Sequence, residues 1–344
     1  MKKGIAFIFI FAAFLLYRFI ADKSYDTVDI SNRLDDIHAT LKPNQELVVL
    51  DSKNPFNFYD ILNNLDNVSN QQVYGILTLP QKPKRHQMPL IIGVAGSYGW
   101  KDHHMGYMER YLENGFATFT LHSFESRNVK STVGEQLSTT VAMVIHDAYM
   151  ALHDLSGRSN IDGDNIGITG WSLGGGVSLF SGWGPIIDKI SPNKKFAAHL
   201  PIYPPCMVKP NNLNFTDSPM HILIGELDDW VPAEPCNEIV QDLQNSGHNI
   251  DITVYPDSHH GYDRVGDVTF IDNAYSFKDC SLSLKDNGTV VSENIRFPLL
   301  SPIMQKIGLF FCAERGSTIG GNELARRASE TFALHFMNLH LGNK

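Results

Sequence analysis

The chain has 344 residues, 43% of them hydrophobic, enough to bury one sizeable core. A formal net charge of -9 and the lack of any long Lys/Arg run exclude a nucleic-acid partner, because phosphate binding needs a concentrated basic face. Pro (17) and Gly (27) occur at ordinary frequencies, which excludes disordered and collagen-like classes.

At the start of the chain, Lys2 and Lys3 precede an apolar run from Gly4 to Tyr17. Arg18 follows, and Phe19, Ile20 and Ala21 extend the run. A basic start before a short apolar stretch is the pattern of a secretion signal. The run is shorter than the roughly 20 residues that a membrane span needs. No small-x-small cleavage site follows it. Residues 1–21 therefore read as a signal peptide or a retained membrane anchor, and the protein as exported, periplasmic or extracellular. The competing reading is an apolar helix of a cytoplasmic protein. The sequons at Asn67, Asn214 and Asn287 matter only in a host that glycosylates.

Residues 22–70 are polar and rich in Asn and Asp, with one apolar run at Val48–Leu50. They read as a linker and an N-terminal edge element, before a main domain over 71–344. Strands are predicted at Val73–Leu79, Leu90–Val94, Ala117–Leu121, Ile166–Gly170, Ala197–Tyr203, His221–Gly225 and Ile252–Tyr255. Each is an apolar or β-branched run bounded by Gly, Pro, Asn or Asp. Helical spacing runs through 137–155, with Val141, Val144, Ile145, Ala148 and Leu152 on one face. Residues 173–182, 234–246 and 321–341 also read as helices. The alternation implies an α/β fold whose mainly parallel central sheet is flanked by helices on both faces. Chemistry in such a sheet belongs at the carboxyl ends of its strands. Residues 263–320 break the alternation and read as an irregular insert over the site or along its rim.

Four cysteines follow the leader: Cys206, Cys236, Cys280 and Cys312. An even count in an exported chain permits two disulfides in three connectivities. Cys206 and Cys236 follow two strand ends that would be neighbours in a parallel sheet, which favours Cys206–Cys236. Cys280–Cys312 is then left by elimination. Buried free thiols are the other reading.

Gly170-Trp171-Ser172-Leu173-Gly174 is a G-x-S-x-G pentapeptide. Alone it is weak. Here an apolar strand, Ile166–Thr169, enters it, and Gly175, Gly176, Val177 and Leu179 leave it as a helix. That strand–turn–helix context is the nucleophile elbow of the α/β-hydrolase fold, with Ser172 as nucleophile. The N–H of Leu173 then faces the oxyanion hole at the helix start. The fold orders its triad Ser, then acid, then His. Asp228 follows the strand His221–Gly225, and His260 follows Ile252–Tyr255. Their neighbours Asp229 and His259 are the alternatives. A second oxyanion donor is expected in the loop after Leu90–Val94, as the main-chain N–H of Ser97 or Tyr98. Tyr98, Trp100, Trp171, Trp230 and the insert are candidates to line an aromatic pocket. Asp102, His103 and His104 could suggest a metal, but adjacent histidines rarely share one ion, and they read as a solvated helix start. No metal or organic cofactor is needed for this chemistry.

These segments resemble the dienelactone hydrolase family over roughly residues 72–260, and more loosely in the final helix. His122-Ser123-Phe124-Glu125-Ser126-Arg127 is similar to its D-x-F-x-x-R-G segment, and Asp147–Leu152 to its helix before the elbow. Gly225–Pro232 resembles G-x-x-D-x-x-V-P, which selects Asp228. Tyr255–Asp263 resembles Y-P-x-x-x-H-G-F-D, which selects His260. The departures are Ala95 for a usual His, His122 for Asp, Asn128 for Gly, and Ser172 for the namesake enzymes' cysteine. The resemblance implies hydrolysis of a small-molecule ester or lactone rather than of dienelactone itself. An acyltransferase or small peptidase on the same triad is the runner-up. A catalytically silent binding protein stands further off, because a binding scaffold needs no complete triad.

Overall fold

The computed structural model describes residues 25–342, so the leader expected at 1–21 lies outside the described residues. In chain order the first nine strands are β1 (Gln45–Lys53), β2 (Asn70–Thr78), β3 (Met88–Val94), β4 (Ala117–Leu121), β5 (Ile161–Trp171), β6 (Ala198–Ile202), β7 (Val208–Pro210), β8 (Met220–Gly225) and β9 (Ile250–Tyr255). All but the short β7 join one sheet in the order β1-β2-β4-β3-β5-β6-β8-β9. The β1–β2 and β2–β4 pairs are antiparallel, and every other pair is parallel. Each of the seven predicted strands is present, with ends shifted by a few residues and the largest shift in β5.

Parallel strands covered on both faces need continuous apolar runs, and β3, β4 and β6 are buried at every position. The helices fall into two groups. Val141–Ser156 packs on Leu173–Phe180, and Asp102–Glu113 packs on Glu323–Met337. Helix Val141–Ser156 starts at Thr140, whose hydroxyl accepts from Met143 N at 3.3 Å.

Residues 25–70 carry more structure than a linker. Ile30, Phe56, Phe58 and Ile61 are core residues, and a helix spans Ser31–Ala39. Their apolar side chains are spaced too widely for a periodic signal. The edge element is β1, built around Val48–Leu50.

A buried ion pair ties this edge to the helical layer. Arg127 Nη1 and Nη2 donate to Asp147 at 2.6 and 3.0 Å. Arg127 Nε donates to Asn54 Oδ1 at 2.8 Å, and Ser52 Oγ to Asp147 Oδ1 at 2.5 Å. The two resemblance segments around Arg127 and Asp147 thus meet at one contact.

The stretch 263–320 is not irregular. It adds β10 (Thr269–Ser276), β11 (Leu282–Leu284), β12 (Val290–Ser292), β13 (Phe297–Pro298), a helix at Pro302–Phe310 and β14 (Glu314–Ile319). β10 pairs with β14, and β13-β12-β11-β7 form a second small sheet. Of these strands β11, β12 and β13 are two or three residues long, too short for an alternation pattern to register. Both expected disulfides are present, Cys206–Cys236 and Cys280–Cys312.

Replacing Arg127 by Met should leave the Asp147 carboxylate buried and unpaired, at a cost of about 3–5 kcal/mol in denaturant unfolding. A loss below about 1 kcal/mol would show that the pair is not needed to hold the edge.

Candidate active site

β5 ends at Trp171, and the next helix begins at Leu173. Ser172 bridges them with φ 54° and ψ -112°, a left-handed conformation that few non-glycine residues adopt. Its N–H donates to Ile202 O on β6 at 2.9 Å. The flanking glycines permit the approach. A Cβ on Gly170 would lie 2.2 Å from Gly174 O, and one on Gly174 would lie 2.2 Å from Val94 O at the end of β3.

Two later strand ends deliver the partners. His260 lies five positions past β9, and its Nε2 is 3.0 Å from Ser172 Oγ. Its Nδ1 is 2.8 Å from Asp228 Oδ2, in the loop after β8. A carboxylate oxygen only accepts, so the ring proton sits on Nδ1 and leaves Nε2 to accept from the serine. Asp228 Oδ1 accepts from Trp230 N at 3.0 Å and Val231 N at 2.9 Å. The carboxylate is thus held by its own loop and does not cap the helix at Ala233. The His260 ring lies between Tyr203 and Trp230, with ring centroids 4.7 and 4.9 Å away. His260 and Asp228 are buried, and Ser172 is half-buried.

The neighbouring candidates do other things. Asp229 binds the strand β14: its carboxylate accepts from Ser317 Oγ, Thr318 N and Thr318 Oγ1 at 2.8–2.9 Å. His259 turns to Leu227 O, at 3.1 Å from its Nδ1. The stretch once expected as an insert is thereby bound to both loops, since Gly320 N also donates to His260 O.

Leu173 opens its helix, so its N–H has no acceptor in the preceding turn. The loop Ala95–Trp100 lies opposite. Gly96 O accepts from Gly99 N at 2.8 Å, and Ser97 O from Thr132 N at 2.9 Å, which fixes the loop. A Cβ on Gly96 would come within 3.5 Å of Ser172 Cβ. Ser97 lines both cavities that adjoin Ser172, whereas Tyr98 sets its ring edge-on to Trp230 at 6.3 Å.

His104 is not part of a solvated helix start. It is 4% exposed, stacks on Trp171 at 4.5 Å, and accepts from Lys101 N at 3.3 Å. Burial holds its pKa well below the usual histidine value. His104, Tyr107, Met108 and Tyr111 form the buried face of helix Asp102–Glu113, a spacing present in the sequence. His103 is half-buried, and desolvation lowers its pKa against the opposing pull of Asp263.

Two cavities meet at Ser172. One of about 170 Å³ is walled by Phe58, Phe180, Met207, Phe277, Leu282 and Leu309, among others. The other, of about 890 Å³, holds Tyr98, Trp100, Trp171 and Trp230 together with His103, His260 and Asp263. The four aromatic residues expected at a pocket therefore line it. Phe56 and Phe58 in the small cavity and Tyr203 in the large one were not expected there, because they come from segments without a chemical motif; Asp263, at the end of the Tyr255–Asp263 segment, also lines the large cavity.

No curated protein matches the chain by sequence. Among solved structures, the native esterase Est2 of Thermogutta terrifontis is 16% identical, with a TM-score of 0.48, covering 66% of this chain and 89% of that one. The same esterase phosphorylated by paraoxon is 16% identical, with a TM-score of 0.47, covering 65% and 86%. A Klebsiella pneumoniae protein, itself only provisionally described as a dienelactone hydrolase, is 16% identical, with a TM-score of 0.44, covering 63% and 89%. The model of the dienelactone hydrolase family matches residues 73–279, more than half of the chain and the part that bears Ser172, Asp228 and His260. By that match the chain belongs to the dienelactone hydrolase family.

Proposed function

We propose that the protein hydrolyses a carboxylic ester or lactone through an acyl-enzyme on Ser172. The observation that carries this reading is the unbroken contact chain from Ser172 Oγ to His260 Nε2 at 3.0 Å and from His260 Nδ1 to Asp228 Oδ2 at 2.8 Å. Ser172 Oγ attacks the carbonyl carbon while His260 Nε2 takes its proton. Asp228 fixes the imidazole tautomer and stabilises the ring once it is positive. Leu173 N–H, with a main-chain N–H of Ser97 or Tyr98, receives the oxyanion. One such donor lowers the barrier by about 3–4 kcal/mol. His260 then protonates the leaving oxygen, and a water molecule repeats the sequence on the acyl-enzyme.

Export belongs to the same reading. Lys2, Lys3 and the apolar run after them have the pattern of an export signal, cleaved or kept as a membrane tether. Two disulfides fit an oxidising compartment. Among the described residues, no helix is long and apolar enough to cross a membrane.

Ser172→Ala should abolish turnover of p-nitrophenyl esters and labelling by a fluorophosphonate; undiminished labelling would remove Ser172 from the mechanism. Asp228→Asn should lower kcat by about 10⁴, whereas Asp229→Asn should act on thermal stability through its contacts with Thr318. Equal losses of kcat in the two variants would contradict the assignment of Asp228. Fractionation of cells expressing the chain with and without residues 1–22 tests export: the full chain should leave the cytosol and the shortened one should stay. Retention of both in the cytosol would count against the signal.

A further inference from the structure

Ser172 stands between two cavities, a small one lined without charged side chains and a larger one that has several. We propose that the small one binds the acyl group and the large one the alcohol, so that the preferred substrates join an apolar acid of up to about six carbons to a polar, uncharged alcohol. This assignment rests on the ester-hydrolase reading above.

The orientation follows from where the proton must go. His260 lines the large cavity and not the small one. As the bond between Ser172 Oγ and the acyl carbon forms, the proton from Oγ passes to His260 Nε2. When the bond from that carbon to the alcohol oxygen breaks, the same proton must reach the departing oxygen. The alcohol therefore leaves on the His260 side, into the large cavity. Leu173, the helix-start donor, lines only the small cavity, and Ser97 lines both. The acyl substituent, on the far side of the carbonyl from the alcohol, is directed into the small one. Water then enters from the large cavity and attacks the acyl carbon as His260 takes its proton; the bond from that carbon to Ser172 Oγ breaks, His260 returns the proton to Oγ, and the acid leaves.

Size and lining set the chemistry of each half. An enclosed apolar cavity of about 150 Å³ is known to take benzene, so the 170 Å³ of this partly open one seats a phenyl group or about six aliphatic carbons within its walls. Its walls are mostly apolar, with Phe58, Phe180, Leu282 and Leu309 beside the uncharged polar side chains of Asn57, Gln136, Thr139, Thr140 and Gln305, and no charged side chain lines it. The large cavity carries both signs, with Lys101, Asp102, His103, Asp263, Arg326 and Glu330 around it. Such a mixture favours hydroxyl groups that both donate and accept over a substituent of one charge. Part of the small cavity comes from outside the segment that matches the family, namely Phe56 and Phe58 before it and Leu282, Val290, Leu299 and Leu309 after it. The acyl side is therefore walled jointly by the family segment and by the stretches on either side of it.

The test is kcat/KM for p-nitrophenyl esters from acetate to decanoate, with glyceryl hexanoate set against hexyl glycerate, its polarity-reversed counterpart. Activity should rise to about hexanoate and fall about tenfold or more by decanoate. Glyceryl hexanoate should exceed hexyl glycerate by about tenfold or more. Val290→Phe should lower the hexanoate-to-acetate ratio by about tenfold, and Leu309→Ala should move the optimum to longer chains. A flat chain-length profile, or preference for hexyl glycerate, in protein that still labels with fluorophosphonate at Ser172 overturns the assignment alone. Loss of all ester turnover and labelling in the wild type overturns the ester-hydrolase reading and this assignment with it. The wild-type series and the reversed pair decide the matter even where a variant does not fold.

Discussion

Three strands converge on the turn at Ser172. Gly174 packs against the last carbonyl of β3, Ser172 N–H is bound by the last carbonyl of β6, and β5 supplies the turn itself. A left-handed φ at a serine costs about 1–3 kcal/mol and persists only where its surroundings impose it. Here no alternative fits, because a side chain at Gly170 or Gly174 would collide with backbone. The crowding is thus what lifts the hydroxyl out of the sheet. The loops after β8 and β9 have only to reach it, and the parallel pairing of these strands already brings their ends side by side.

Two adjacent carboxylates divide the remaining work. Asp228 faces His260 and is steadied by two backbone N–H groups, while Asp229 points away and binds β14. One loop therefore orients the imidazole and fastens the cover that walls the small cavity. The cover is also fastened to the loop after β9, through the bond from Gly320 N to His260 O.

The sheet was legible because its strands are long apolar runs with clean boundaries, and β5 through Leu173 carried both strand and motif. Ser172, Asp228 and His260, which the structure brings into contact, each lie within five residues of the end of such a run, inside a local motif. Other parts left weaker traces. His104 reads as solvated because a histidine pair looks polar, although its helix buries residues at the spacing of 104, 107, 108 and 111. Short strands such as β11 and β12 are held by pairing with one another and by Cys280–Cys312, contacts distant in sequence that no local pattern encodes. Phe56 and Phe58 reach the cavity from a polar segment, so nothing in their surroundings pointed to a pocket.

The disulfide between Cys280 and Cys312 has a consequence for how this enzyme's selectivity can change. Its two Cα atoms lie 4.8 Å apart, so the segment between them leaves and rejoins the body almost at one point. A loop with adjoining feet can be lengthened, shortened or exchanged without altering the distance that the rest of the chain must bridge. Five residues of the small cavity's wall, Leu282, Val290, Leu299, Gln305 and Leu309, lie between those feet, whereas Ser172, Asp228 and His260 lie before them. Selection, or an engineer, can therefore treat the segment as a cassette and retune which acids are accepted while the reacting atoms stay where they are.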